Sequence, residues 1–102
     1  MGVMPLFHVY GMVTVMHFSA LTGSAMILLP RFEIEQVLKA INKYRPAFFP
    51  GVPTMYVAIN NFAEVSKYDL RSIKACTSGA APLPLEVHIP ALPCVGGRRA
   101  KR

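Results

Sequence analysis

The stretch of this chain best suited to binding chemistry is Ala75 to Pro84, in which a plausible strand runs into small residues and then two prolines. Small side chains allow a flat ligand to lie close against the peptide planes. Pro82 and Pro84 restrict the backbone and remove two amide donors, so we expect a stiff loop after a strand. On these residues alone two interpretations stay open: a loop that packs against a planar ligand, or a tight connection that needs small residues.

A histidine that follows an aromatic residue, His8, is the second candidate for chemistry. On an apolar stretch such a histidine is more often a hydrogen-bonded core residue than a catalytic group. Other chemistries find little support, because the sequence has no Gly-x-Ser-x-Gly motif and its histidines and cysteines lack metal-site spacing. We therefore predict no metal ligands in this chain.

Three motifs occur in order along the chain: Pro5–Gly11 (Pro-Leu-Phe-His-Val-Tyr-Gly), Pro50–Tyr56 (Pro-Gly-Val-Pro-Thr-Met-Tyr) and Thr77–Leu83 (Thr-Ser-Gly-Ala-Ala-Pro-Leu). Together they resemble the central part of an adenylate-forming (AMP-binding, acyl-activating) enzyme, and within that family the long-chain fatty-acid–CoA ligases. The resemblance covers residues 1–87. It implies an α/β fold: a fragment of the large N-terminal domain, with short parallel strands alternating with helices.

The resemblance also implies a reaction. In that family a carboxylate attacks the α-phosphate of ATP to give an acyl-adenylate and pyrophosphate, and the thiol of coenzyme A then displaces AMP. ATP, Mg²⁺ and coenzyme A are thus the implied cofactors, and a fatty acid or another carboxylate is the implied substrate. Catalysis of this kind depends on positioning and on contacts that neutralise phosphate charge.

Individual residues take roles from the same resemblance. His8 resembles the motif histidine near the reacting carboxylate, and it is the predicted catalytic residue. The predicted adenine loop consists of Ser78, Gly79, Ala80, Ala81 and Pro82. The predicted substrate-binding residues are Tyr10, Gly11, Gly51, Val52, Pro53 and Thr54.

Several parts of the family pattern are missing from this sequence. No Gly-rich loop ending in Lys-Gly is present to hold phosphates, because Thr77-Ser78-Gly79 continues as Ala-Ala-Pro. The Tyr-Gly-x-Thr-Glu motif, whose Glu would help to hold Mg²⁺, the later ribose-binding Asp and the lysine-bearing C-terminal domain are missing too. We therefore expect a partial acyl-CoA ligase that is inactive alone. A non-catalytic truncated product is the alternative.

The composition fits a piece of a larger domain. Of the 102 residues, 53% are apolar and 16% are charged, whereas soluble domains have about 25% charged residues. A chain this short cannot cover so much apolar surface, so we expect self-association. A membrane-associated protein would look similar, but in the longest weakly polar run, Met12 to Leu29, the Thr22-Gly23-Ser24 break favours a buried helix followed by a buried strand.

The clearest predicted element is an amphipathic helix over 34–44, whose apolar residues recur on one helical face and which Pro46 ends. We also predict a helix from Met12 to the Gly23 break and another over Thr54–Ala63. Strands are predicted over 25–29, 47–49 and 72–77. A strand that ends at Thr77 would place the Gly79 loop at its carboxyl end, where ligands gather in parallel sheets.

Residues 88–102 differ from the rest, since they contain no acidic residue and supply four of the six net positive charges. We predict a partial AMP-binding domain over 1–87 and a basic, disordered tail over 88–102. Binding of an anionic surface or a nucleic acid through the tail is an alternative, but without interleaved aromatic residues we expect no specific nucleic-acid site.

The cellular setting follows from two features. Cys76 and Cys94 lack close spacing, and the first basic residue is Arg31, so the N-terminus has no positively charged region of a secretion signal. We therefore expect a cytoplasmic protein, with association at a membrane surface as the alternative.

Overall fold

The computed structural model describes residues 1–81. Along the chain it contains three consecutive helical elements, α1 (Val9–Gly11), a π-helical stretch (Met12–His17) and α2 (Phe18–Thr22), then α3 (Ile34–Tyr44), β1 (Phe48–Gly51), α4 (Pro53–Asn60), a 3₁₀ turn (Val65–Lys67) and β2 (Ala75–Ser78). The predicted Pro82 site and the predicted tail over 88–102 lie outside the described residues.

The two strands form a parallel sheet that brings the second and third motifs side by side. Phe48 pairs with Ala75 at one end, and Gly51 pairs with Ser78 at the other. Helix α4 connects the strands, as a parallel pair requires. The prediction of parallel strands alternating with helices is therefore confirmed, and the Gly79 loop does follow the carboxyl end of a strand.

Helix α3 confirms the predicted amphipathic helix over 34–44. Val37, Leu38 and Ile41 are fully buried on one face and belong to the main hydrophobic core. The helix ends at Tyr44, and the C-cap residue Arg45 takes a left-handed conformation (φ 49°) and donates its N–H to the carbonyl oxygen of Ile41. The 3.6-residue spacing of apolar residues was sufficient to predict this helix, because its whole buried face comes from one contiguous segment.

Helix α4 begins where the sequence predicted and ends earlier. Pro53 occupies the first turn, where its missing N–H costs nothing. Ile59 is fully buried as expected, while Met55 is half-buried and Tyr56 is the other fully buried residue of the helix. The helix ends at Asn60 instead of Ala63, at two consecutive asparagines of low helix propensity.

Two predictions about the first third of the chain are wrong in this structure. Half of the residues in the helical segment over 9–22 are exposed, with Leu21 at 87% and Val13 at 49% exposure, and only Gly11 and Val15 are buried. The predicted strand over 25–29 is reduced to one bridge, between Gly2 and Leu28. An apolar run becomes a buried helix or strand only where other elements cover it, and the described residues offer Gly2 alone as a β-partner.

The other strand boundaries shift by a few residues. The strand predicted over 47–49 is β1 (Phe48–Gly51), so Pro50 lies inside it and does not end it. The carbonyl of Gly51 accepts the N–H of Gly79 across the pair, so at Pro50 the missing N–H is on the side away from β2. The strand predicted over 72–77 is β2 (Ala75–Ser78).

Across residues 1–81, no helix combines the length and the apolar composition needed to cross a bilayer.

Asp69 links the end of α3 to the loop before β2, and we expect this link to make stability depend on acid. The Asp69 carboxylate accepts the N–H of Arg71 (3.0 Å) and the Nη1 of Arg45 (3.1 Å). Mainly the Arg71 N–H, and then the Arg45 guanidinium, hold the pKa of Asp69 below its ordinary value of 3.8. A folded-state pKa below the unfolded one stabilises the fold above the unfolded pKa, and this stabilisation disappears as pH falls through the folded pKa.

The test compares the wild type with Asp69→Asn in thermal unfolding followed by circular dichroism. The variant should melt below the wild type at neutral pH, and the gap should close as the pH falls below 3.8 and through the lowered pKa of folded Asp69. A gap of constant size at every pH would show that Asp69 contributes no charge-dependent stability.

Candidate functional site

The hydroxyl of Tyr10 joins the three motifs. Its oxygen lies 3.2 Å from the carbonyl oxygen of Gly51, 2.9 Å from that of Thr77 and 3.0 Å from Thr77 Oγ1. A phenol has one proton to donate and can also accept a hydrogen bond, so the Tyr10 hydroxyl can donate to a carbonyl while it accepts from the Thr77 hydroxyl. Residues far apart in sequence therefore meet at the carboxyl ends of both strands.

Gly79 permits this arrangement because it has no side chain. A Cβ atom at Gly79 would lie 2.5 Å from Cε2 and 2.6 Å from Cζ of the Tyr10 ring. The Gly79 N–H donates to the Gly51 carbonyl oxygen over 3.2 Å. The start of the predicted adenine loop is thus packed against the first motif and bonded to the second.

Tyr56 contacts the same Thr77 carbonyl oxygen as Tyr10 does, but from inside the core. It is fully buried, and its hydroxyl lies 3.0 Å from the carbonyl oxygen of Phe49 and 2.8 Å from that of Thr77. Its ring meets the Phe49 ring edge-on, with centroids 5.7 Å apart. Burial, and secondarily Tyr10, raise the pKa of Tyr56 above its ordinary value of 10.0. Tyr56 therefore stays protonated and acts as a hydrogen-bond donor that ties β1 to β2.

His8 is an exposed residue at the start of α1 and not a buried core histidine. Its Nδ1 accepts the backbone N–H of Tyr10 over 3.2 Å. A neutral imidazole that accepts at Nδ1 carries its proton on Nε2. The structure thus fixes one side of the ring through Tyr10 and leaves Nε2 as a donor for another group.

The remaining predicted substrate residues lie in α1 or at the start of α4. Gly11 is buried, and a Cβ atom there would overlap the carbonyl oxygen of Pro5. Val52 is the N-cap residue of α4, and Pro53 follows it at the start of the helix. Thr54 is an exposed residue of the first turn. Of the predicted substrate residues, Tyr10 and Gly51 are the two that the structure brings together with the Gly79 loop.

The predicted adenine loop is strained and exposed. Ala80 has φ 67°, a left-handed conformation that costs a non-glycine residue about 1–2 kcal/mol. The side chains of Ala80 and Ala81 are exposed. The Oγ atom of Ser78 is buried and has no hydrogen-bond partner in the described part of the chain. Backbone strain and an unpaired hydroxyl are typical of a segment held ready for a ligand.

We call the point where the Tyr10 hydroxyl meets Gly51 and Thr77 the Tyr10 junction. An apolar groove of about 640 Å³ lies beside this junction, and the sequence did not predict it. One wall is the helical segment over 9–22, and the other is the parallel sheet. Thr77 belongs both to the groove and to the Tyr10 junction. The groove is lined by Val13, Thr14, Phe18, Thr22, Ser24, Ala47, Phe48, Lys74, Ala75 and Thr77.

One sequence signal for the groove existed. Tyr10, Thr14, Phe18 and Thr22 recur at every fourth position of one helical segment. Thr14 Oγ1 donates to the Tyr10 carbonyl oxygen (2.6 Å), and Thr22 Oγ1 donates to that of Phe18 (2.8 Å). Both threonine hydroxyls therefore satisfy their donors within the helix, which keeps this wall of the groove effectively apolar. The burial of Tyr56 also had a sequence signal, because Tyr56 and Ile59 are three residues apart and therefore lie on one face of α4.

Metal-ligating side chains do not form a cluster among the described residues. Within 1–81, no group of three or more His, Cys, Asp or Glu side chains could hold a metal ion.

Comparison with known proteins identifies the class to which this fold and site belong. The AMP-binding enzyme family matches residues 1–100, and the chain belongs to that family. It is 49% identical over 87 residues to the long-chain-fatty-acid–CoA ligase of Bacillus subtilis, which covers 85% of this chain and 16% of the relative. It is 39% identical over 85 residues to 4-coumarate–CoA ligase 1 of Arabidopsis thaliana, with 83% and 15% covered.

The fold agrees with this assignment. The chain resembles the inhibitor-bound N-terminal domain of FACL13 from Mycobacterium tuberculosis, with a TM-score of 0.73 and 28% identity. The match covers 80% of this chain and 20% of that one. The chain thus corresponds to a part of an N-terminal domain and spans about a sixth of the length of the two relatives. Both the predicted family and the predicted fold class are confirmed.

Proposed function

We propose that this chain is the part of an ATP-dependent acyl-CoA ligase that holds the adenine and the carboxylate together. The observation that carries the proposal is the Tyr10 hydroxyl, which joins the motifs containing His8, Gly51 and Gly79 into one site. The two relatives above are both named as CoA ligases, which supports acyl-CoA ligase activity as the proposed function.

The geometry is compatible with the roles that the family resemblance implies. The loop from Ser78 to Ala81 presents small exposed side chains, so a planar adenine can lie against its backbone. The Nε2 proton of His8 can donate a hydrogen bond to a carboxylate oxygen, which places that oxygen for attack on the α-phosphate of ATP. The apolar groove beside Thr77 is suited to the hydrocarbon part of the same acid.

A fatty acid is the proposed substrate. The identity with the Bacillus ligase is higher than that with the 4-coumarate ligase, and an apolar groove of about 640 Å³ is suited to an aliphatic chain. A role in fatty-acid metabolism, coenzyme A as the acyl acceptor and a cytoplasmic location belong to this proposal. Self-association and contact with membrane surfaces remain predictions. A non-catalytic product is the second candidate, because the phosphate loop and the Mg²⁺-binding Glu motif are missing from the sequence.

The isolated chain should form no acyl-CoA above a no-protein blank when it is given ATP, Mg²⁺, a fatty acid and coenzyme A. The reason is that its sequence lacks the phosphate loop and the lysine that the full reaction needs. Thioester formation that His8→Ala abolishes would contradict this prediction.

The proposal itself is tested in a hybrid ligase, in which residues 1–87 of this chain replace the matching segment of the Bacillus relative. We expect fatty-acid-dependent exchange of pyrophosphate into ATP, and we expect His8→Ala to remove it. His17→Ala is the matched control, since His17 is also an exposed histidine of the same helical segment, and it should leave exchange unchanged. A hybrid that melts like the parent relative but shows no exchange would overturn the proposal.

A further inference from the structure

Two aromatic rings stand between the apolar groove and a second, smaller cavity. Phe18 of α2 and Phe48 of β1 pack with ring centroids 5.1 Å apart and planes tilted by 45°. Both rings line the groove of about 640 Å³. Both also line a cavity of about 120 Å³ on the side of Ser19 and Ala25. The ring pair, together with Ser24 and Ala47, therefore lines the wall that the two spaces share.

The π-helical stretch keeps Phe18 in this wall. In a regular α-helix four residues turn through 400°, so side chains at every fourth position drift by about 40° at each step. Tyr10, Thr14, Phe18 and Thr22 nevertheless all contact the same side, which the sheet occupies. The Met12–His17 stretch, with its wider i→i+5 turns, rotates less per residue and offsets the drift.

The distance from the Tyr10 junction to the wall is short. Thr77 lies at the junction, and Ala75 is the β2 partner of Phe48 in the wall. Ala75 and Thr77 are two residues apart on β2, which corresponds to about 7 Å at about 3.3 Å per residue. Phe18 itself is 46% exposed, so its ring is not locked in the core and its removal leaves the main core in place.

We propose that the Phe18–Phe48 pair is a specificity determinant that limits the length of the acyl chain in the groove. This inference rests on the proposed function, because the occupant it assigns is the unbranched aliphatic chain of the carboxylate substrate. The carboxylate end lies at the Tyr10 junction, and the chain runs between the helical segment and the sheet until it meets the two rings. Removal of the Phe18 ring joins the groove to the smaller cavity and admits a longer chain.

The experiment measures binding of radiolabelled octanoate and hexadecanoate to the full 102-residue chain by equilibrium dialysis, below the concentrations at which the acids aggregate. The Phe18→Ala variant should raise the affinity for hexadecanoate relative to octanoate by about tenfold, the effect of burying about two more methylenes. Leu21→Ala is the matched control, because Leu21 is an exposed apolar residue of the same helix and does not line the groove. It should leave the ratio unchanged.

Further variants guard against a simple folding effect. Phe18→Leu should give an intermediate ratio, and circular dichroism should show the same helix content in every variant. An unchanged ratio in Phe18→Ala, with octanoate still bound, would overturn the length limit and leave the proposed function standing. Octanoate binding lost in both Phe18 variants at unchanged helix content would show that Phe18 is a contact and not a wall. Absence of binding by the wild type for both acids would overturn the acyl groove, and the length limit with it.

Discussion

Gly79→Ala in the hybrid ligase should reduce pyrophosphate exchange by about 100-fold, because a displacement of about 1 Å in a catalytic site costs that much. The added Cβ atom would lie 2.5 Å from Cε2 of Tyr10, so the ring must move. The movement breaks the hydrogen bonds of the Tyr10 hydroxyl to Gly51 and Thr77. His8 is affected as well, since the Tyr10 N–H holds its Nδ1.

Ala80→Gly is the matched control for this prediction. It changes the neighbouring residue of the same loop, adds no atoms and relieves the left-handed backbone of Ala80. The Tyr10 ring is not displaced by this change, so we expect pyrophosphate exchange within about threefold of the unmodified hybrid. That difference is well below the loss expected from a misplaced catalytic group. Full exchange activity in Gly79→Ala would show that the contact between Tyr10 and Gly79 does not organise the site.

Gly11→Ala should destabilise the full chain by about 1–3 kcal/mol, which is the usual cost of overpacking a core. The atom in the way is the backbone carbonyl oxygen of Pro5, and backbone cannot rotate aside as a flexible side chain can. Gly11 also sits where α1 continues into the π-helical stretch, so a shift there would move His8 and Tyr10 together. Thermal unfolding by circular dichroism measures the effect.

Gly23→Asn is the control for Gly11→Ala. Gly23 ends α2 with φ 64°, and nothing lies within 4 Å of a Cβ atom placed there. Asparagine tolerates the left-handed conformation at a helix end, so we expect almost no change in melting temperature. Equal melting temperatures for Gly11→Ala and the wild type would contradict the close approach of Pro5 to the helix.

The sequence predicted the elements whose signals are local. Helix α3 was predicted within its observed bounds, because its buried face repeats inside one segment and Pro46 follows it. The start of α4 was predicted from Pro53 for the same reason. The parallel pairing was predicted because short strands alternate with helical segments along the chain, and it is confirmed by the pairing of β1 with β2.

The parts that the sequence did not predict depend on contacts between distant residues. The Tyr10–Thr77 hydrogen bond joins residues 67 positions apart, and no periodicity encodes it. The groove appears only once the helical segment lies over the sheet. The strand expected over 25–29 failed for the related reason that a strand needs a partner along its length, and Gly2 pairs at a single bridge.

The most direct test of the site is the affinity of the hybrid ligase for ATP when Ala81 is replaced by leucine. Ala81 is exposed, so the larger side chain should leave the melting temperature unchanged while it occupies the place of the adenine. Loss of one stacking surface should cost on the order of 1–3 kcal/mol, or roughly 5- to 150-fold in affinity. A lowered melting temperature with unchanged ATP affinity would contradict the adenine site and assign the loop a purely structural role.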